Sequence, residues 1–193
     1  EYTHRPALGD NPRMKRRGLA ACLAMAFFVG ALAMQTPSAD SVLKAAQAKA
    51  KTEKKNVLVI FHASWCGWCK KMDEFLGKPE FKKLFEDSYV IVHLTVMESA
   101  EHKDLENPGG MDVLKAAGGD NQGIPFYFVS DASGKMLANS LAKKSDTDAG
   151  SNIGYPAKPD EIEHFIWMLR KTATHMNGVQ IEQIKKYLST QKI

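Results

Sequence analysis

The stretch His62-Ala-Ser-Trp-Cys-Gly-Trp-Cys-Lys-Lys-Met72 (HASWCGWCKKM, residues 62–72) holds two of the chain's three cysteines, two residues apart. It follows the run Asn56 to Ala63 (NVLVIFHA), which is β-branched and apolar with little alternation. Such a run reads as a central strand covered on both faces. Downstream, Cys69, Met72, Phe75 and Leu76 share helical spacing, so a helix is expected from about Cys66 to Leu76. Cys66 therefore sits where a strand ends and a helix begins. Free amide groups and the helix dipole at that point favour a thiolate over a thiol. Cys69 lies one helical turn further on, within bridging distance on the same face.

That placement supplies an attacking sulfur and a resolving one. The Cys66 thiolate can open a disulfide, and Cys69 can attack the resulting mixed disulfide and release the product. Gly67 leaves room for an approaching chain, and Trp65 and Trp68 add flat apolar surface around the sulfur. Three other readings compete. A structural disulfide is disfavoured because short loops constrain little chain. A zinc site needs about four ligands and one CxxC gives two. His62 and His93 stand on apolar strands, where packing or a local hydrogen bond accounts for them. A haem attachment site needs histidine where Lys70 stands.

Working outward, Ser41 can cap a helix running to about Thr52. Ser88 to Val96 (SYVIVHLTV) is a second buried strand, Glu98 to Gly110 a polar loop, and Met111 to Ala117 a short helix. Between the first two strands, Pro79 interrupts the cysteine helix and Glu80 to Phe85 add a turn or two. Ile124 to Ser130 (IPFYFVS) is a third strand, joined through Asp131-Ala-Ser-Gly134 to a fourth, Lys135 to Ser140. Residues 142–159 form a polar loop. An amphipathic helix spans Asp160 to about Met176, Gly178 breaks it, and one more helix runs to the end. Helix-separated strands imply parallel pairings and the late hairpin an antiparallel one. The expected fold is α/β: a mixed four-stranded sheet flanked by helices, with an N-terminal helix and an extra C-terminal helix.

The strand, the WCGWCK motif and the later Gly123-Ile124-Pro125 resemble the thioredoxin superfamily, and more narrowly its exported bacterial thioredoxin-like members. The resemblance covers about Asn56 to Met176. It implies a thiol-disulfide oxidoreductase with catalytic Cys66 and Cys69, and a substrate groove built from Trp65, Gly67, Trp68, Ile124 and Pro125. It also implies a cis Ile124–Pro125 bond, with Ile124 offering its backbone to a substrate strand. No cofactor and no metal are expected, since the electrons reside in the dithiol. Expected partners are protein thiols or disulfides and an exported or membrane redox donor, with the chain itself a monomer. Two departures stand out. Ile60 occupies the place, six residues before the first cysteine, where reducing members carry a buried aspartate. Trp68 stands where thioredoxin has proline and the isomerases histidine, so strong oxidant character is not implied. The competing class is a non-catalytic thioredoxin-fold binding module, a chaperone or copper metallochaperone.

The chain has 193 residues, enough for one domain with appendages. Its formal charge of +4 owes +3 to residues 1–33, where Arg5, Arg13, Lys15, Arg16 and Arg17 outnumber Glu1 and Asp10. The remainder is near neutral and gives no electrostatic case for nucleic acid. Residues 14–33 (MKRRGLAACLAMAFFVGALA) have the layout of a secretory signal peptide: a basic start, an apolar run and the small residues of Ala31-Leu32-Ala33. Residues 1–13 read as an upstream extension. An uncleaved membrane anchor is the alternative to cleavage, and lipidation of Cys22 is disfavoured because most of the apolar run follows it. Removal of the signal leaves Cys66 and Cys69 as an even pair for a periplasmic or secreted location. The expected division is 14–33 signal, 34–55 N-terminal helix and linker, and 56–193 the redox domain.

Overall fold

The computed structural model describes residues 35–143, 145 and 147–191. The upstream extension, the signal segment and Cys22 lie outside the described residues.

Helix α1 (Ala39–Glu53) is capped by Ser38, not Ser41: the Ser38 hydroxyl accepts from the Ser41 amide at 3.2 Å. It ends on Lys54, whose left-handed backbone (φ 56°) returns the N–H to the Ala50 carbonyl. Strand β1 (Asn56–His62) follows, then α2 (Gly67–Leu76), α3 (Pro79–Ser88) and β2 (Tyr89–Thr95). Pro79 opens α3, where its missing N–H costs nothing, so the expected turn or two is a ten-residue helix. A 3-10 turn (Ala100–Leu105) lies inside the expected polar loop. Then come α4 (Gly110–Ala116), β3 (Phe126–Ser130) and β4 (Met136–Asn139). The expected loop after β4 begins with a short ladder, β5 (Leu141–Ala142) on β6 (Ser151–Asn152). Helices α5 (Pro159–Thr172) and α6 (Gly178–Thr190) close the chain.

The main sheet has the order β2-β1-β3-β4. β1 and β2 are parallel, as the intervening helices require. The expectation of a parallel pairing fails for β1 and β3, which run antiparallel. The link from β2 to β3 leaves and re-enters the sheet at one end: β2 ends with Thr95 opposite His62, and β3 begins with Phe126 opposite Phe61. That end is also where β1 delivers the cysteines, so β3 begins beside them.

Both faces of the sheet are covered, as the unbroken apolar run of β1 implies. Leu58 and Ile60 pack with Met72, Phe75, Phe85, Phe165 and Ile184 of α2, α3, α5 and α6. Val57, Val59 and Phe61 pack with Ala46, Ala50 and Leu114 of α1 and α4. Helix α5 stops at Thr172, earlier than expected, because tertiary partners claim its continuation. The Asn56 amide donates to the Thr172 carbonyl at 2.7 Å, and the Thr174 hydroxyl to the Ser88 carbonyl at 3.0 Å. Gly178 is the first residue of α6 rather than a plain breaker. Asn177 caps that helix, accepting from the Gln180 amide at 3.0 Å while Gln180 accepts from the Asn177 amide at 2.9 Å.

Candidate active site

β1 ends at His62, and Ala63 carries the chain into a turn closed by the Cys66 N–H on the Ala63 carbonyl, 3.1 Å. Cys66 is the N-cap of α2. Its sulfur accepts from the Cys69 N–H at 3.1 Å, in the place usually taken by a serine or aspartate oxygen. No acidic residue occupies the first turn of α2. The helix thus presents unopposed positive partial charge to that sulfur. Cys66 and Cys69 form a disulfide with their Cα atoms 5.3 Å apart.

β3 supplies the opposite wall. The Ile124–Pro125 bond is cis, as the resemblance implied. The Ile124 carbonyl oxygen lies 3.6 Å from the Cys66 sulfur. Ile124 packs on a small apolar cluster of Ala63, Cys66 and Cys69. The two cysteines are nearly covered, at 3% and 2% exposure, while Trp65 and Trp68 form an open rim at 59% and 48%. Gly67 needs no special backbone, and a Cβ there would meet nothing within 4 Å. The space above it is open to an approaching molecule.

Sequence reasoning missed what holds the segment before Cys66. Glu98 is buried just beyond β2, and its carboxylate accepts from the Ser64 N–H at 2.5 Å and the Ser64 hydroxyl at 2.8 Å. Burial pushes the Glu98 carboxyl up, but these two bonds outweigh it and hold the group below its usual range. The neighbouring Trp65 indole N–H donates to the Met97 carbonyl at 2.8 Å. The strand register brings them together: β1 and β2 pair His62 with Thr95, so residues just past the two strands stand side by side.

Ile60 is fully buried, and its cross-strand partners are His93 on β2 and Tyr127 on β3. Among the described residues the Tyr127 hydroxyl is buried without a hydrogen-bond partner, and burial, then Glu161, pushes its pKa well up. His62 is half-buried, with Nε2 3.2 Å from the Thr95 hydroxyl and its ring 5.0 Å from that of His93. His93 in turn bonds Asp73 at 2.8 Å. Burial, and next the His93 charge, pushes the His62 pKa down. Among the described residues no group of three or more His, Cys, Asp or Glu side chains could hold a metal ion.

A groove of about 640 Å³ opens beside Ile124, lined by Trp68, Ile124, Pro125, Asn152, Tyr155 and Lys158 among others; of the expected groove residues, Trp65 and Gly67 do not line it. Trp68 stacks on Tyr155 (centroids 6.1 Å, 23° between planes), with the Lys71 ammonium over both rings at 5.2 and 5.8 Å. Tyr155 was not singled out in the sequence; it comes from the polar segment after β6.

Residues 38–132 match the family described as Thioredoxin-like. The chain is 34% identical over 140 residues to a protein disulfide-isomerase of Schizosaccharomyces pombe, covering 69% of this chain and 38% of that one. It is 30% identical over 92 residues to a protein disulfide-isomerase of Hordeum vulgare, covering 48% and 15%. The chain thus spans well under half the length of these relatives. Among solved structures, a disulphide isomerase from Xylella fastidiosa Temecula1 is similar at 26% identity with a TM-score of 0.43, covering 52% of this chain and 72% of that one. The mixed sheet, the cysteine pair at the start of α2 and the match over residues 38–132 agree on a thioredoxin-like fold.

Proposed function

We propose that the protein is a thiol-disulfide oxidoreductase that exchanges disulfides with protein substrates, favouring the reducing direction. One observation carries the reading: the Cys66 sulfur caps α2 while Cys69, one turn on, is in bonding reach. In the dithiol state the Cys66 thiolate attacks one sulfur of a substrate disulfide. The substrate S–S bond breaks, a Cys66–substrate bond forms, and the leaving sulfur takes a proton from solvent. Cys69 then loses its proton and attacks the Cys66 sulfur. The second substrate thiol departs, and two electrons have passed from the protein to the substrate.

The reducing preference is supported by what surrounds Cys66. The helix terminus favours its thiolate, but position 68 holds tryptophan and adds no positive charge. A thiolate stabilised only modestly makes the dithiol a better electron donor. A donor must then restore the dithiol, and an exported or membrane dithiol protein fits a chain led by a signal-like segment. No described helix is long and apolar enough to cross a membrane. The scheme uses one cysteine pair on one chain, and we read the protein as acting as a monomer. The substrate is proposed to lie between the exposed Trp65, Gly67 and Trp68 and the Ile124–Pro125 wall.

The test is reduction of insulin with dithiothreitol as donor. The wild-type chain accelerates precipitation of the freed B chain, and Cys66→Ser does not. A wild-type chain without effect points instead to a binding module that holds a client or copper without turning over.

A further inference from the structure

The segment between β4 and α5 reaches the cysteine site through two side chains, Asn152 and Tyr155. It first continues the sheet edge: the Ser140 N–H donates to the Tyr127 carbonyl at 2.8 Å, and the Ile153 N–H to the Ser140 carbonyl at 2.9 Å. Between these anchors, Asn152 faces the turn that leads into β3. Its side-chain nitrogen donates to the Gly123 carbonyl at 2.6 Å and the Pro125 carbonyl at 3.0 Å. Those carbonyls flank Ile124 on either side. Its backbone N–H donates to the Gln122 side-chain oxygen at 3.0 Å, and its side-chain oxygen accepts from the Gly154 N–H at 3.2 Å.

We infer that Asn152 is the positioning residue for the Ile124–Pro125 wall, and that it sets how tightly the groove takes an extended polypeptide around its disulfide. The inference rests on the reading of Cys66 and Cys69 as a disulfide-exchange site. The chemistry requires this side chain. An amide offers two N–H donors on one nitrogen, and here both meet carbonyls two residues apart. Aspartate at this position presents only acceptors to those carbonyls, serine has one donor, and alanine none. Asn152 makes no hydrogen bond to either cysteine, so its effect on the sulfurs is confined to the wall that faces them. The same segment carries Tyr155 onto Trp68. It thereby holds one side of the groove by hydrogen bonds and lines the other with an aromatic ring. A small disulfide reaches Cys66 without resting on either side. A polypeptide spans both.

The experiment compares wild type, Asn152→Ala, Asn152→Asp and Asn152→Ser on two substrates, insulin and hydroxyethyl disulfide, with the Cys66 thiol pKa followed by thiolate absorbance. Loss of two neutral hydrogen bonds is expected to raise the KM for insulin about tenfold in Asn152→Ala. Asn152→Asp rises further and Asn152→Ser lies between. In all three, kcat, the rate with hydroxyethyl disulfide and the thiol pKa stay within about twofold of wild type or its equivalent in pH. Asn152→Ser retains a donor and keeps the comparison available where alanine destabilises the domain. An unchanged insulin KM, or an equal loss on both substrates, overturns the inference and leaves the oxidoreductase reading standing. A wild-type chain inert toward both substrates overturns that reading and the inference with it.

Discussion

Glu98 shows how one side chain can fix the segment before Cys66 without touching either sulfur. Its carboxylate accepts both the amide and the hydroxyl of Ser64, two residues before Cys66, and is itself buried. Replacing it leaves two donors facing a pocket with no acceptor. Glu98→Ala is expected to cost about 1–3 kcal/mol in urea unfolding, and Glu98→Gln less, since its carbonyl oxygen still accepts one bond. A variant as stable as wild type would show that Ser64 finds other partners. At this scale the pairing of the two cysteines was legible because it follows from their spacing along the chain. Glu98, Asn152 and Tyr155 were not, because their partners lie 27 to 87 residues away in sequence. Only the pairing of strands and the path of a long connection bring them in.

The elements divide in a similar way. β1 and the first turn of α2 follow from local pattern, and so does the Asp131–Gly134 turn, in which the Asp131 carboxylate accepts from the Ser133 and Lys135 amides. Helix ends were harder to place. α5 ends where Asn56 and Ser88 draw the chain away, and no residue near Thr172 announces that. Helix separation predicts a parallel β3, whereas β3 starts at the end of the sheet where β2 stops and runs antiparallel to β1. The difference matters at the site, because an antiparallel β3 begins beside the end of β1 and brings Ile124–Pro125 to Cys66. α6 offers a clean test at this scale. Its start depends on Asn177 and Gln180 satisfying each other's amides. Asn177→Ala is expected to lower stability by about 1 kcal/mol, read as a shift in urea midpoint with unchanged slope. No shift would mean that packing of Ile181, Ile184 and Leu188 alone holds the helix.

For the whole molecule, pH dependence separates two sets of groups. His62 has its pKa held below the ordinary 6.5 by burial and by His93. The unfolded chain therefore binds that proton first, and stability present above pH 6.5 is lost as pH falls below it. Glu98, Glu106 and Glu161 are held below their ordinary 4.5, so the stability they contribute is lost only below about that value. The urea midpoint is expected to fall between pH 7.5 and 5.5, and His62→Gln to flatten that step. An identical step in the variant would assign it to another group. The four-stranded α/β architecture with its terminal helices was legible as a whole, since it needs only the order of elements. The antiparallel β3 and the walls of the groove needed the structure. The central claim, that Cys66 is the attacking sulfur of a disulfide-exchange site, is tested most directly by insulin reduction with dithiothreitol as donor. The account predicts that the wild-type chain accelerates precipitation and that Cys66→Ser abolishes the acceleration. Equal rates with and without the wild-type chain, or a Cys66→Ser variant as active as wild type, would contradict it.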